Sequence, residues 1–242
     1  MKSETNVYHI TYYTANRSVS IFFWGCNFSC KGCIRRLDVL DYHLKDTDKK
    51  KSKKVVFLDS QEVIERVKKL EPKRVVFRGW EPALDPELPK LAESFHDELK
   101  TWNLLTTNGF TIPSLNDVDE IQISIKAYSD KIHRDYTGKS NKRVLDNFIN
   151  VYGMDVKLRA ETILIPNYID HQEIGNIARF ISNVDPAIPF RIDGYVPIPG
   201  TPWPAPTQEE MCRAVDETRK YLENVSRLDG SVSFKGEVMQ IL

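Results

Sequence analysis

The chain has 242 residues, 41% of them hydrophobic and 28% charged, an ordinary globular composition with enough length to bury one large core. Its 34 Lys and Arg balance its 34 Asp and Glu, which argues against a dedicated nucleic-acid binder. No apolar run approaches the roughly 20 residues of a membrane span, and MKSETNVYHI opens the chain without an apolar signal core, so the expectation is a cytoplasmic protein.

The first strand expected is SVSIFFWG (18–25), with Val19, Ile21 and Phe23 on one face and Phe22 and Trp24 on the other. A cysteine-rich loop follows, and CIRRLDVLDYHL (33–44) predicts a helix. The block Lys49-Lys50-Lys51-Ser52-Lys53-Lys54 reads as a solvated loop, with docking of an acidic partner or an anionic substrate as the sharper alternative. Asp59 and Ser60 are capping candidates for a helix over 61–70, where Val63, Ile64, Val67 and Leu70 recur at helical spacing. A short strand over 74–79, a helix over 86–100 and a strand over 101–109 come next. In 120–128 the alternation of Ile121, Ile123 and Ile125 predicts another strand. Helices are expected over 141–153, 171–183 and 207–225, the last with Thr207 and Glu210 as a capping box, and strands over 156–165 and 189–198. Pro197, Pro199, Pro202, Pro204 and Pro206 stiffen the loop after the last of these strands, with Trp203 at its middle; it reads equally as a gate or as a packed crossover.

Strand and helix alternate about six times, which predicts a parallel sheet with helical crossovers. Six units suit either a doubly wound sheet or an incomplete TIM-like barrel. Both place their ligands at the carboxyl ends of the strands, so the residues just after each strand carry the information.

After the first strand stands Gly25-Cys26-Asn27-Phe28-Ser29-Cys30-Lys31-Gly32-Cys33, with the spacing C-x3-C-x2-C. Three thiolates so close in sequence can wrap one face of a soft-metal site. A closed zinc site or a fully protein-held [4Fe–4S] cluster needs a fourth ligand, for which Cys212, His9 and His43 are the candidates. Without one, a metal corner stays open to an exogenous molecule. A non-catalytic zinc or redox module is therefore the competing reading.

The cysteine spacing after the first strand resembles the signature of radical S-adenosylmethionine (SAM) enzymes. The resemblance implies a partial (β/α)6 TIM-like barrel forming a single domain over 1–242, its core at about 18–200 and a C-terminal helix and strand over 207–242. It implies a [4Fe–4S] cluster on Cys26, Cys30 and Cys33, with the open iron chelated by SAM. One electron then cleaves SAM to a 5′-deoxyadenosyl radical that abstracts a hydrogen atom.

The other strand ends resemble the glycyl-radical activating enzymes, of which pyruvate formate-lyase activase is the best-known. Gly79-Trp80-Glu81-Pro82 stands where Gly-Gly-Glu-Pro is usual and implies that Gly79, Trp80 and Glu81 position the SAM amino group. Thr107-Asn108-Gly109, then Ser124-Ile125-Lys126, then Arg159 imply contacts to ribose and carboxylate by Thr107, Asn108, Ser124, Lys126 and Arg159. His133-Arg134-Asp135-Tyr136-Thr137-Gly138 and Pro166-Asn167 with Asp170 match further stretches of that group. Thr106 and Ser124 replace two aspartates that help bind a monovalent cation, so such a site is not carried over. Gly32 replaces an aromatic residue before the third cysteine and leaves the adenine contact to Phe28 or Ile34, while Tyr195 stands where a histidine is expected. No protein acid or base is required for SAM cleavage. A ferredoxin or flavodoxin is the implied electron donor, function is expected under anaerobic conditions, and a glycyl-radical enzyme is the implied protein substrate. A small molecule or another protein side chain is the alternative substrate.

Overall fold

The computed structural model describes residues 4–44, 55–229 and 236–242. Nine strands form one sheet in the order β8-β7-β6-β5-β4-β3-β2-β1-β9. They are β1 (Val7–Tyr13), β2 (Ser18–Phe23), β3 (Arg74–Gly79), β4 (Trp102–Thr107), β5 (Glu120–Ser124), β6 (Lys157–Leu164), β7 (Phe190–Gly194), β8 (Val225–Leu228) and β9 (Val238–Gln240). The helices are α1 (Ser60–Lys68), α2 (Leu88–Leu99), α3 (Asp130–Thr137), α4 (Lys142–Tyr152), α5 (His171–Val184) and α6 (Gln208–Thr218).

From β2 to β8 every strand pairs in parallel with the next in sequence. Strand order never reverses, so right-handed crossovers put all the helices on one face. That decides between the two designs left open by the alternation: a doubly wound sheet would change direction, and this one is a partial barrel. The parallel run has seven strands, because a short β8 follows α6. On the other side β1 adds to β2 antiparallel, and β9 adds to β1.

The helix-facing side of the strands carries the core. Ile21, Phe77, Leu105, Ile123 and Ile192 are all buried there against Val63, Leu91, Phe95, Phe148 and Ile177 of the helices. Alternation puts the next residues on the concave face, the barrel lumen, and these are polar: Arg78, Gln122, Ser124, Glu161, Arg191 and Asp193.

Capping behaves as expected at two helices. Asp59 accepts the Glu62 N–H at 2.9 Å and starts α1; Thr207 with Glu210 starts α6. Elsewhere the boundaries shift. The helix expected over 33–44 is a single 3₁₀ turn, Ile34–Arg36. Asp38 and Asp41 accept backbone N–H groups two residues on, Leu40 at 3.0 Å and His43 at 3.0 Å, which draws the chain into turns. The buried Arg35 then ties the loop shut by donating to Leu40 O at 2.6 Å. The last helix stops at Thr218 instead of running to 225; residues 219–224 turn the chain, and β8 starts at Val225. Strand β1 and helix α3 were not predicted. The Lys49–Lys54 block lies outside the described residues. No helix among the described residues is long and apolar enough to cross a membrane.

Candidate active site

The cysteine loop leaves β2 and turns at Gly25, whose φ is +91°. Main-chain carbonyls at the end of α3 hold it from outside: Ser29 N–H donates to Thr137 O at 2.9 Å and Lys31 N–H to Tyr136 O at 3.0 Å. Cys26 Sγ accepts the Phe28 N–H at 3.3 Å and lies 3.7 Å from Asn108 Nδ2, just after β4. Burial pushes the Cys26 and Cys30 thiols up, Cys30 to about 12, and at Cys30 the Lys126 ammonium opposes that rise. Left alone these sulfurs keep their protons; a cationic centre is what would make them thiolates.

The three sulfurs do not gather within 4.8 Å of one another. A single tetrahedral zinc, with Zn–S bonds of about 2.3 Å, needs sulfurs about 3.8 Å apart. As they stand, the sulfurs are spaced more widely than one tetrahedral zinc would hold them. None of the candidate fourth ligands stands with the cysteines. Cys212 is exposed on α6, with Arg227 Nη1 3.1 Å from its sulfur at the β8 edge of the sheet. His9 is fully buried on β1, its Nδ1 on the Leu242 carbonyl and its ring against Phe22. His43 belongs to the turn at Asp41.

Gly79 ends β3 with φ +120°, and a Cβ there would lie 2.7 Å from both Phe23 N and Phe23 O. Only glycine allows this approach. It lets Trp80 N–H reach Phe23 O at 3.0 Å and Glu81 N–H reach Gly25 O at 3.0 Å. The Trp80 ring packs on Trp24, with centroids 5.5 Å apart. Glu81 is fully buried and accepts from Thr107 Oγ1 (2.6 Å), Asn108 N–H (2.7 Å) and Ala83 N–H (3.1 Å). Burial raises its carboxyl to about 7 against these donors. Asn108 Nδ2 also donates to Asn27 Oδ1 at 2.7 Å. The cysteine loop and the ends of β3 and β4 are thus one hydrogen-bonded unit.

Around the lumen, Ser124 Oγ and Gln122 Nε2 donate to Glu161 of β6, and Arg191 Nη2 of β7 donates to it at 2.7 Å. Arg191 also grips Asp193 at 2.6 Å and 2.9 Å. Against its burial, Arg191 and Lys126 hold the Glu161 carboxyl below its ordinary range.

A Cβ on Gly32 would meet Tyr195 at 2.8 Å and Tyr136 at 3.0 Å. Two tyrosine rings fill the place beside the third cysteine. Phe28 is buried edge-on to Phe110 and His133. Trp203 stacks on Tyr168 with centroids 4.7 Å apart and meets Tyr136 and Tyr195 edge-on. Trp203 thus anchors the proline-rich loop, while Pro197, Pro199, Pro202 and Pro204 are exposed.

Arg159 is not with the others. It sits near the start of β6 and donates to Glu120 at 2.9 Å, where Arg74 at the start of β3 also donates at 2.8 Å. Parallel strands put their starts at the end of the sheet opposite the cysteines, so Arg159 lies two positions along β6 below Glu161, with Ala160 between them.

The sequence profile of the Radical SAM superfamily matches residues 20–181. A Methanocaldococcus jannaschii protein provisionally named a glycyl-radical enzyme activating enzyme is 32% identical over 226 residues, covering 90% of this chain and 83% of that protein. This chain belongs to the radical SAM superfamily. Members use a [4Fe–4S] cluster and SAM. The structure of Streptococcus suis SuiB bound to S-adenosylmethionine superposes with a TM-score of 0.65 at 14% identity, covering 87% of this chain; the chain spans about half, 51%, of SuiB. A domain of pyruvate-formate lyase-activating enzyme from Bacteroides vulgatus superposes with a TM-score of 0.53 at 17% identity, covering 64% of this chain and 98% of that domain. Both likenesses are of fold.

The radical SAM signature thus sits on the expected loop. The lumen charges Arg78, Glu161, Arg191 and Asp193 and the ring of Tyr136 were not singled out from the sequence. A signal was there: Arg191 and Asp193 alternate with Phe190 and Ile192, and charged residues every second place in an apolar strand mark an inner face.

Proposed function

We infer that this radical SAM enzyme activates a partner protein by removing a hydrogen atom from one of its glycines. The observation that carries the reading is the match to the M. jannaschii relative along nearly the whole of both chains. Cys26, Cys30 and Cys33 would hold three irons of the cluster. Gly79, Trp80 and Glu81 would receive the SAM amino group. Thr107, Asn108, Ser124 and Lys126 would surround ribose and carboxylate, with Phe28 and Tyr195 as apolar walls. When bound, cluster and SAM together supply one-electron cleavage of SAM and a radical able to abstract hydrogen.

The chain's own work is positional. Glu81 fixes the ends of β3 and β4 to each other, and Asn108 fixes both to the cysteine loop. Lys126 places a positive charge near Cys30, suited to a carboxylate. The buried tyrosines and Trp203 exclude water beside the third cysteine. A ferredoxin or flavodoxin in an anaerobic cytoplasm would deliver the electron. A small-molecule substrate is the second reading, favoured by the charged lumen.

The test is anaerobic reconstitution with iron and sulfide, followed by dithionite and SAM. A brown protein that forms 5′-deoxyadenosine, with a Cys30→Ser variant that does not, supports SAM cleavage. A glycyl-radical doublet in the electron paramagnetic resonance (EPR) spectrum of an added glycyl-radical enzyme supports the activase reading. A protein that forms 5′-deoxyadenosine without that doublet refutes it.

A further inference from the structure

Hydrogen-atom abstraction transfers no charge, so the charges in the lumen need a reason of their own. Glu161 and Asp193 have one: Gln122, Ser124 and Arg191 satisfy them. Arg78 has none. It stands on the lumen face of β3, between Phe77 of the core and the Gly79-Trp80-Glu81 turn, in register with Phe22. Its guanidinium lies over the Phe22 ring at 5.6 Å and makes no hydrogen bond or ion pair among the described residues.

Phe22 is a rigid platform. It is fully buried, His9 packs against it at 4.9 Å, and Arg35 stands over the same ring at 5.3 Å. Arg35 is spent on backbone carbonyls of its own loop, including Leu40 O at 2.6 Å. Arg78 keeps its whole planar fork of donors. Burial destabilises its charge; Asp41 partly restores it, and Arg35, Glu161 and Arg191 are the next charges it senses. Lys126 acts directly on Cys30, and Glu161 feels both Lys126 and Arg78. Lys126 is thus the cation of the cofactor end, and Arg78 faces the same lumen with its fork unspent.

We propose that Arg78 anchors a carboxylate of the substrate, so that the molecule or chain segment presented to the radical carries an acidic group next to its reactive hydrogen. An arginine fork matches a carboxylate in two hydrogen bonds and fixes its plane, which is what placing one hydrogen atom requires. The proposal rests on the half-barrel lumen being where substrate meets the radical. The acid belongs either to a free small molecule or to a side chain beside the target glycine.

The experiment uses cluster-loaded protein with SAM. Its SAM-dependent EPR change is recorded first, because loss of that change in the unmodified protein would count against the cofactor reading itself. Malonate, its neutral amide malonamide, a blocked tetrapeptide with aspartate beside glycine, and the asparagine counterpart are then titrated by calorimetry. The expected result is saturable binding of malonate or the aspartate peptide, weaker by roughly tenfold to a hundredfold in Arg78→Met, with the EPR change retained. Arg78→Lys keeps the charge without the fork and should fall between. Malonate alone binding assigns a small acid; the aspartate peptide binding assigns an acidic protein segment. Equal binding of acid and neutral partner, equal binding by Arg78→Met, or no binding of either acid by the unmodified protein overturns the proposal.

Discussion

Replacing Gly79 by alanine tests whether the turn that presents Trp80 and Glu81 is dictated by backbone crowding. Gly25, on the same side of the site, is the internal control. Both have positive φ, +120° and +91°, so each alanine variant carries backbone strain of about 1–2 kcal/mol. They differ in what the new methyl meets. At Gly25 nothing lies within 4 Å; at Gly79 the main chain of Phe23 lies at 2.7 Å, against an ordinary contact of 3.4–4 Å. Backbone cannot swing away as a side chain can. Relief means moving β3 off β2 by roughly half an ångström, which adds about 1–3 kcal/mol of overpacking and about 1 kcal/mol for a stretched Trp80 N–H to Phe23 O bond. Urea unfolding of the cluster-free chain should thus show about 1–2 kcal/mol lost for Gly25→Ala and about 3–6 kcal/mol for Gly79→Ala, a large part of a typical domain's stability. The same displacement should lower SAM affinity in Gly79→Ala more than in Gly25→Ala. Equal destabilisation by the two, to within about 0.5 kcal/mol, would refute the crowding argument.

Glu81 binds its proton more tightly in the fold, about 7 against an ordinary 4.5, so stability should fall by about 3 kcal/mol as pH rises through that window. In Glu81→Gln that component vanishes; urea melts of both proteins at about pH 5 and about pH 8 with equal differences would count against it. Cys212→Ser should leave iron content unchanged after reconstitution, since that thiol is exposed beside Arg227; a colourless variant would return it to the ligand set. Arg159→Met should cost about 1 kcal/mol through the partly exposed pair with Glu120 and leave SAM binding intact by titration; a several-fold loss of SAM affinity would place Arg159 back in the site.

The parallel sheet was legible because Ile121, Ile123 and Ile125 and their counterparts alternate over long runs, and because Thr207 with Glu210 is a cap that local chemistry alone stabilises. The cysteine loop was legible because its spacing is contiguous in sequence. What escaped depended on partners far along the chain. Strand β1 mixes Val7 and Ile10 with His9 and Thr11, so its pattern is weak, and it becomes a strand by pairing with β2. The stretch 33–44 has helical composition, but Asp38, Asp41 and Arg35 bond to nearby backbone in a way that periodicity does not reveal. Arg159 was placed at the site because a matching arginine is expected on that strand; strand direction and register put it at the other end. Tyr136 came from a helix that was not predicted. The space it fills with Tyr195 beside Gly32 shows only in three dimensions.

The cysteine loop is fastened to α3 through main-chain atoms, Ser29 N–H to Thr137 O and Lys31 N–H to Tyr136 O. These two bonds do not depend on which side chains the loop carries, although Ser29 Oγ adds a bond to the same Thr137 O at 3.2 Å. Ser29 and Lys31 are exposed, and the ion pair of Lys31 with Asp135 at 2.6 Å is half in solvent and worth little to the fold. The skin of the protein outside the sulfurs can therefore change charge and shape while the sulfurs stay where they are. What holds the sulfurs and what faces solvent are separate variables on one loop, so its outer surface can change without moving the backbone that carries the sulfurs.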